Sequence, residues 1–423
     1  MSIDPASSAG SPSPPVADQP NWKSLSRFAM FAAVGGFALL ILAGIANSSS
    51  VEGDEEKVNA FKRMGLAYLS GFIFWFSLPI GGMALLMIGY LTKTSWALLL
   101  RRPFEAAMQT WPLFFIGFAP VVLLVFNHNL SPYWWTDPNK VQFEEVDVNP
   151  NSAEAKDKRD QAIMTGKLMR NHAIERQRKE FEEREKGIFG FLSKESFLIV
   201  SAVLFAIWIA MIWFLIKWGK EASDETSTAK VDAALEKLKN FSGPGIIIFA
   251  LTITAASTLW VMSLEPGWSS TMFPVIFAVN QFLTCFAFCL SAFLFLVSRP
   301  PFRDLMRPKF QLDMGTLMLA FTLFWSYTSF SQFMLVWIGN LPEEIPFFLK
   351  RSQPTYGAWW CVSAGLIALH FALPFLLLLF RDIKLHPVRL RTVAMYLCVI
   401  CAIDVVWWIE PSLVSSGNFP YFL

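Results

Sequence analysis

Charged residues are scarce in this chain, at 16% of 423 against 54% hydrophobic ones. A soluble domain of this length covers its surface with charge, so the shortage excludes a soluble enzyme. There is no basic surplus either: 35 Lys and Arg offset 33 Asp and Glu, leaving a net charge of +2, which excludes nucleic acid as a partner. Histidine is rarer still, with four in all. His172 and His386 fall in connections, His128 stands at the end of an apolar run, and only His370 is central to one. A membrane haem held by two histidines would therefore have to use His128 and His370. The five cysteines form no iron–sulfur pattern, and Cys398-Val399-Ile400-Cys401 lacks the following His of covalent haem attachment. With Cys285 and Cys289 they read as small buried thiols. No Gly-rich phosphate loop and no Ser/His/Asp set can be assembled, so any electrons this protein serves are carried by partner subunits. Met1 to Pro20 contains no Lys or Arg; lacking the basic start of a signal peptide, residues 1–27 read as a disordered tail.

Long apolar runs fill most of the remainder. Nine are delimited by charges and turn residues, at 28–46, 66–90, 112–127, 195–216, 246–264, 273–297, 314–338, 358–380 and 391–409. Each approaches or exceeds the ~20 residues that cross a bilayer. The fold class expected is an all-α polytopic membrane protein of about nine transmembrane helices. Phe at 41 and Trp at 17 against Tyr at 7 suit lipid in the same way. The connections expected on one side, with the N-terminal tail, carry 18 Lys and Arg, and those on the other carry 5 once the long third connection is set aside. The positive-inside rule then places the N-terminus in the cytoplasm and, with nine spans, the C-terminus outside. The long connection 127–194 holds 12 basic and 12 acidic residues. Its stretch from Glu154 to Lys186 reads as a charged helix outside the membrane, either solvated or docked on another subunit.

An internal duplication is suggested by two connections. Arg101-Arg102-Pro103-Phe104-Glu105-Ala106-Ala107-Met108 follows the second run and Arg299-Pro300-Pro301-Phe302-Arg303-Asp304-Leu305-Met306 the sixth, coinciding at four of eight positions. Two four-helix bundles follow: residues 66–264 with 127–194 as an insertion, and residues 273–409. The run 28–46 is then a peripheral first helix and 410–423 a tail.

An ionisable side chain at the centre of a span costs about 2.5–3.5 kcal/mol on insertion scales and must face a partner or water. The central ones are His370 and Asp404. At helical rise they lie about 16 Å and about 20 Å from the basic ends of two sequence-adjacent antiparallel helices. Pro374, having no N–H, is expected to free the carbonyl of His370 four residues earlier. This group reads as a proton relay or as a structural pair fixing the bundle. A second cluster falls at the opposite interface, where Glu265 and Trp268 follow the fifth run and Asn340, Glu343 and Glu344 follow the seventh. Carboxylates beside Trp and Pro can bond a quinone headgroup or begin a proton exit, and they also cap helix ends in an aromatic belt.

These stretches resemble a known family. Met262-Ser263-Leu264-Glu265-Pro266 with Trp268, Ser270, Thr271 and Phe273 is similar to its M-S-L-[DE]-P-x-W-x-S-T-x-F motif. Phe330-Ser331-Gln332-Phe333 through Gly339-Asn340-Leu341-Pro342-Glu343-Glu344 is similar to its F-S-Q-F…G-N-L-P-E-E, and His370-Phe371-Ala372-Leu373-Pro374-Phe375 with Arg381-Asp382 to its H-F-x-x-P-F…R-D. The family is the ActF-type, second NrfD-like membrane subunit of alternative complex III, a bacterial quinol:cytochrome c or other electron carrier oxidoreductase. The similarity spans roughly residues 60–410. It implies a subunit of the bacterial inner membrane with no redox cofactor of its own, contributing to the binding of menaquinol or another quinol, or to proton transfer. The partners it implies are multihaem and monohaem cytochromes c, an iron–sulfur protein and a second NrfD-like subunit, so that haem c and the iron–sulfur clusters sit outside this chain. His370, Asp404 and Glu265 are then the proton-transfer candidates, and Glu265, Trp268, Asn340, Glu343 and Glu344 the quinone candidates. Where the family often has Asp before the Trp at position 260, this chain has Leu259. The family usually has a tenth helix, whereas this sequence stops at Leu423 after nine runs. The rival reading is a secondary transporter with a mid-membrane proton or ion site, which duplicated bundles and a His–Asp pair also fit.

Overall fold

The computed structural model describes residues 54–92, 94–127, 130–136, 192–224, 227–265, 268–297, 308–340, 344–354 and 358–413. They are helical with no strand among them. Seven helical stretches are long and apolar enough to cross a membrane: Phe61–Thr92, Arg101–Phe126, Lys194–Ser223, Ala229–Leu264, Phe273–Leu296, Trp359–Leu379 and Pro387–Ser412. The chain is accordingly an all-α membrane-embedded protein. The expected run 28–46 and the charged stretch Glu154 to Lys186 lie outside the described residues. The expected seventh run forms a 32-residue helix, Pro308–Gly339, about 48 Å long at helical rise. Ser326, Tyr327, Thr328, Ser331 and Gln332 put a run of polar side chains in its second half.

Helix α1 (Asp54–Thr92) occupies the centre. Short α2 (Ser95–Leu99) and α3 (Arg101–Met108) turn back against it. The segment expected to be a connection is thus helical. Arg101 Nε and Arg102 Nη1 hold Glu105 at 2.7 and 3.1 Å, which allows this carboxylate to be buried. Helices α4 (Trp111–Gly117) and α5 (Ala119–Phe126) carry the strand of helix onward, each with Pro in its first turn. Pro has no N–H to donate inward, and at the break the Tyr68 hydroxyl donates to the Gly117 carbonyl at 2.5 Å.

Helix α6 (Lys194–Asp224) begins where Ser193 Oγ accepts the Ser196 N–H at 3.1 Å, the arrangement of an N-cap. It pairs antiparallel with α7 (Thr228–Trp260), Trp208 Nε1 donating to Thr252 Oγ1 at 2.9 Å and Trp260 Nε1 to Ser201 Oγ at 3.0 Å. Against α1, α7 runs antiparallel too: Gly245 lies by Met87, and Trp260 by Phe72 and Phe76. The short connection 261–272 then returns the chain as α8 (Phe273–Val297), which is therefore parallel to α1.

Contact between α1 and α8 depends on glycine. A Cβ on Gly81 would stand 2.5 Å from the Gln281 carbonyl oxygen and 2.6 Å from Cys285 Cβ, and one on Gly82 would stand 3.2 Å from the Phe104 carbonyl oxygen. With hydrogen alone at these positions, α8 and α3 close on adjacent faces of α1 and touch each other. These two packed helices are the ones that precede the repeated Arg/Pro/Phe/Met motif, whose second copy lies outside the described residues.

Helix α9 (Pro308–Gly339) packs on α8 and ends at Asn340, whose φ of 47° is left-handed and whose N–H bonds the Val336 carbonyl at 2.9 Å. This is a C-terminal cap. After α10 (Ile345–Ser352), the chain crosses as α11 (Trp359–Leu366), a π-helical turn at Ile367–Ala372 and α12 (Leu373–Leu379). Short α13 (Arg381–Leu385) leads into α14 (Pro387–Ile409), which lies antiparallel along α8. At this basic end Lys384 covers Gly315 and donates to Thr316 Oγ1 at 3.2 Å. Burial lowers its pKa.

Candidate functional site

The interior differs between the two halves. Around α1, α5, α6 and α7 it is aromatic: Phe76 and Phe118 pack on Phe205 and Trp260 with ring centroids 4.8 to 6.1 Å apart. Between α8, α9, the π-helical turn and α14 it is polar. Asp404 on α14 is buried there, and its Oδ2 accepts the Asn280 Nδ2 hydrogen at 3.0 Å and the Trp325 indole hydrogen at 2.8 Å. Asn280 is oriented in turn by Thr284, which donates to its Oδ1 at 3.3 Å.

His370 sits in the same group. Its Nδ1 is 3.9 Å from Asp404 Oδ2, its Nε2 is 3.7 Å from Cys401 Sγ, and its ring stacks on Trp325 with centroids 3.7 Å apart. The separation from Asp404 exceeds a hydrogen bond, and Nδ1 is a buried nitrogen with no hydrogen-bond partner. His370 is carried by the π-helical turn, a departure from α-geometry often found at functional positions.

That turn also relocates the effect of Pro374. The Leu373 N–H bonds the Ala368 carbonyl, five residues back. In the same register Pro374 stands where a donor to Leu369 would be, and the Tyr396 hydroxyl of α14 supplies it at 2.7 Å. The carbonyl relieved of its backbone donor is thus that of Leu369, one residue before the expected His370.

A second buried group lies at the opposite end of these helices. Glu265, just after the 3-10 turn Met262–Leu264, forms an ion pair with Lys350 of α10. Both are nearly inaccessible, with side chains 4% and 2% exposed. The second carboxylate oxygen, Oε2, has no hydrogen-bond partner, and neither does buried Trp268 Nε1. Trp268 is stacked on Phe347 with centroids 3.8 Å apart and planes within 8°.

Adjacent Arg351 is buried without a carboxylate in direct contact among the described residues. It donates to the carbonyls of Trp407, Phe347 and Trp408 at 3.0, 2.7 and 2.9 Å, and its guanidinium covers the Phe347 ring at 3.7 Å. Two of those carbonyls belong to the last turn of α14, so Arg351 terminates the helix that bears Asp404. Burial pushes its pKa down to about 10, and the Glu265 carboxylate opposes that shift.

The structure brings His370 together with Asp404, and Glu265 with Trp268. Asn340 is exposed and caps α9, Glu344 is half-buried at the start of α10, and Glu343 lies outside the described residues. Asn280, Trp325, Lys350 and Arg351 were not singled out from the sequence. The Asn280-Gln281 pair inside an apolar run, and the two cations that follow Glu343 and Glu344 in the connection after the seventh run, are the signals that mark them.

The fit to haem is poor. Trp325 covers the face of His370, and Asp404 and Cys401 flank its two nitrogens, so an axial bond would require displacing one of them. Among the described residues, no three His, Cys, Asp or Glu side chains are arranged to hold a metal ion.

No protein-family model and no curated protein matches this chain.

Proposed function

We infer that this chain is an integral membrane subunit of a respiratory quinol:cytochrome c, or other electron carrier, oxidoreductase of the bacterial inner membrane. The single observation that carries the reading is a buried carboxylate and imidazole, Asp404 and His370, 3.9 Å apart deep in the helices and clamped by Asn280 and Trp325. Such a costly group inside a membrane protein marks a proton or ion pathway. The resemblance in sequence supplies the reaction class.

In this reading quinol, as menaquinol or another quinol, gives two electrons to partner subunits bearing haem c and iron–sulfur clusters and releases two protons. Residues of this chain take part in the proton half. Glu265 Oε2 and Trp268 Nε1, an acceptor and a donor left over beside the Lys350 charge, suit a headgroup oxygen and its proton. Asp404 and His370 hold and exchange a proton deeper in the helices. The nine-helix, two-bundle arrangement with a cytoplasmic N-terminus belongs to the same proposal, as do the cytochrome, iron–sulfur and second NrfD-like partners.

A secondary transporter is the alternative, and the break from α to π geometry at His370 favours it, because transporters bind ions where a spanning helix is interrupted. Purification from native membranes through a tag on this chain separates the two. Co-purification of cytochromes c and an iron–sulfur protein with quinol-oxidising activity is expected. A chain that purifies alone and carries out proton-coupled solute uptake in vesicles would support the transporter instead.

A further inference from the structure

Asn280 and Gln281 are neighbours on α8 and serve different seams. Asn280 reaches Asp404 on α14, whereas Gln281 lies against α1, its backbone carbonyl facing Gly81. Gln281 is 0% exposed, yet neither its Nε2 nor its Oε1 has a hydrogen-bond partner. Ser77, one turn before Gly81 on the same face of α1, is 1% exposed and its Oγ is also without a partner. By contrast Ser70, on the same helix, gives its hydroxyl to the Leu66 carbonyl at 3.0 Å. Because Cα–Cβ bonds tilt toward the helix N-terminus and α1 and α8 are parallel, the Gln281 side chain leaves the level of Gly81 in the direction of Ser77.

We propose that the α1–α8 seam is a buried hydration site in which water bridges Ser77 Oγ and the Gln281 carboxamide. The chemistry selects the ligand. Gln281 Nε2 needs an acceptor, Gln281 Oε1 needs a donor, and the Ser77 hydroxyl can be either. A cation would suit the two oxygens and be repelled by the Nε2 hydrogens, and an anion would do the reverse. Water both donates and accepts, and buried waters commonly satisfy two to four polar groups in this way. The site would extend the polar layer from His370 and Asp404 through α8 to α1, one residue from the Asn280 that holds Asp404. It stands independently of any electron-transfer role for the complex.

A density map of the full chain in lipid nanodiscs, at a resolution showing ordered water elsewhere in the protein, tests this directly. Ordered density within hydrogen-bonding distance of both Ser77 Oγ and the Gln281 amide is expected, and a seam without it overturns the proposal. Thermal denaturation gives an independent reading. Ser77→Ala should lower Tm in the native background and leave it unchanged in Gln281→Leu, where the water has lost its second anchor. A rise in Tm on Ser77→Ala in the native background would show a dry, unpaired hydroxyl and would also overturn it. If Gln281→Leu fails to fold, the map and the native-background arm decide.

Discussion

The indole N–H of Trp325 is donated to Asp404 Oδ2 at 2.8 Å. The same ring lies on the His370 imidazole, so one side chain of α9 fixes both members of the deep pair. Trp325→Phe keeps an aromatic surface for His370 and deletes the donor, leaving Asn280 as the one side-chain donor to Asp404 among the described residues. The expected result is a loss of about 1–3 kcal/mol, the usual effect of leaving a buried acceptor short of a partner, read as a lower Tm in detergent. Trp325→Leu should cost more, because it also removes the stack.

The Glu265–Lys350 pair predicts a pattern across three variants. Removing one member of a buried pair strands the other charge and typically costs about 3–5 kcal/mol. Lys350→Met should therefore be strongly destabilising, and Glu265→Gln less so because the amide can still accept a hydrogen bond. The double variant should recover most of the Lys350→Met loss. A strictly additive result would show that the two side chains are not coupled.

Arg351 gives a pH dependence with a defined sign. Its pKa in the folded chain, about 10, is below the ordinary guanidinium value. Between those values the unfolded chain retains the proton that the folded one releases, so stability from this residue rises with pH through the window. The increment is complete above the ordinary guanidinium pKa and lost as pH falls through about 10. At neutral pH the buried charge is a cost, offset by its three carbonyl partners. Unfolding measured from pH 9 to 12 should show native protein gaining stability relative to Arg351→Gln, whose side chain does not titrate.

Two glycines of α1 should respond oppositely to alanine. At Gly81 the new methyl would meet the Gln281 carbonyl oxygen at 2.5 Å and Cys285 Cβ at 2.6 Å, forcing α1 from α8 at an expected cost of about 1–3 kcal/mol. At Gly71 a Cβ meets nothing within 4 Å. There the substitution should stabilise the helix by about 0.5–1 kcal/mol. Equal effects at the two positions would contradict the close packing described for α1 and α8.

The long apolar runs were legible because bilayer thickness imposes a length and a polarity that survive without any knowledge of packing. His370 and Asp404 stood out for the same reason: charge inside an apolar run is expensive enough to be conspicuous. What surrounds them was not legible. Asn280 and Trp325 are ordinary members of their runs until four helices are docked, and the donors of Asp404 come from residues 124 and 79 positions away. The π-helical turn was hidden too, because one extra residue per turn leaves no mark in hydropathy, and it moved the freed carbonyl from His370 to Leu369. Lys350 and Arg351 were counted only as charges of a connection. Their burial follows from Glu265 and from the end of α14, partners far away in sequence.

Proton flux and electron flux measured together across vesicles containing the Asp404→Asn complex test the central claim most directly. The amide is nearly isosteric and can still accept the Trp325 hydrogen bond, so the complex should assemble with its partners. The account predicts fewer protons moved per electron passed from quinol to acceptor. An intact Asp404→Asn complex with the native proton-to-electron ratio would contradict it, and would reduce the deep His370–Asp404 group to a structural clamp.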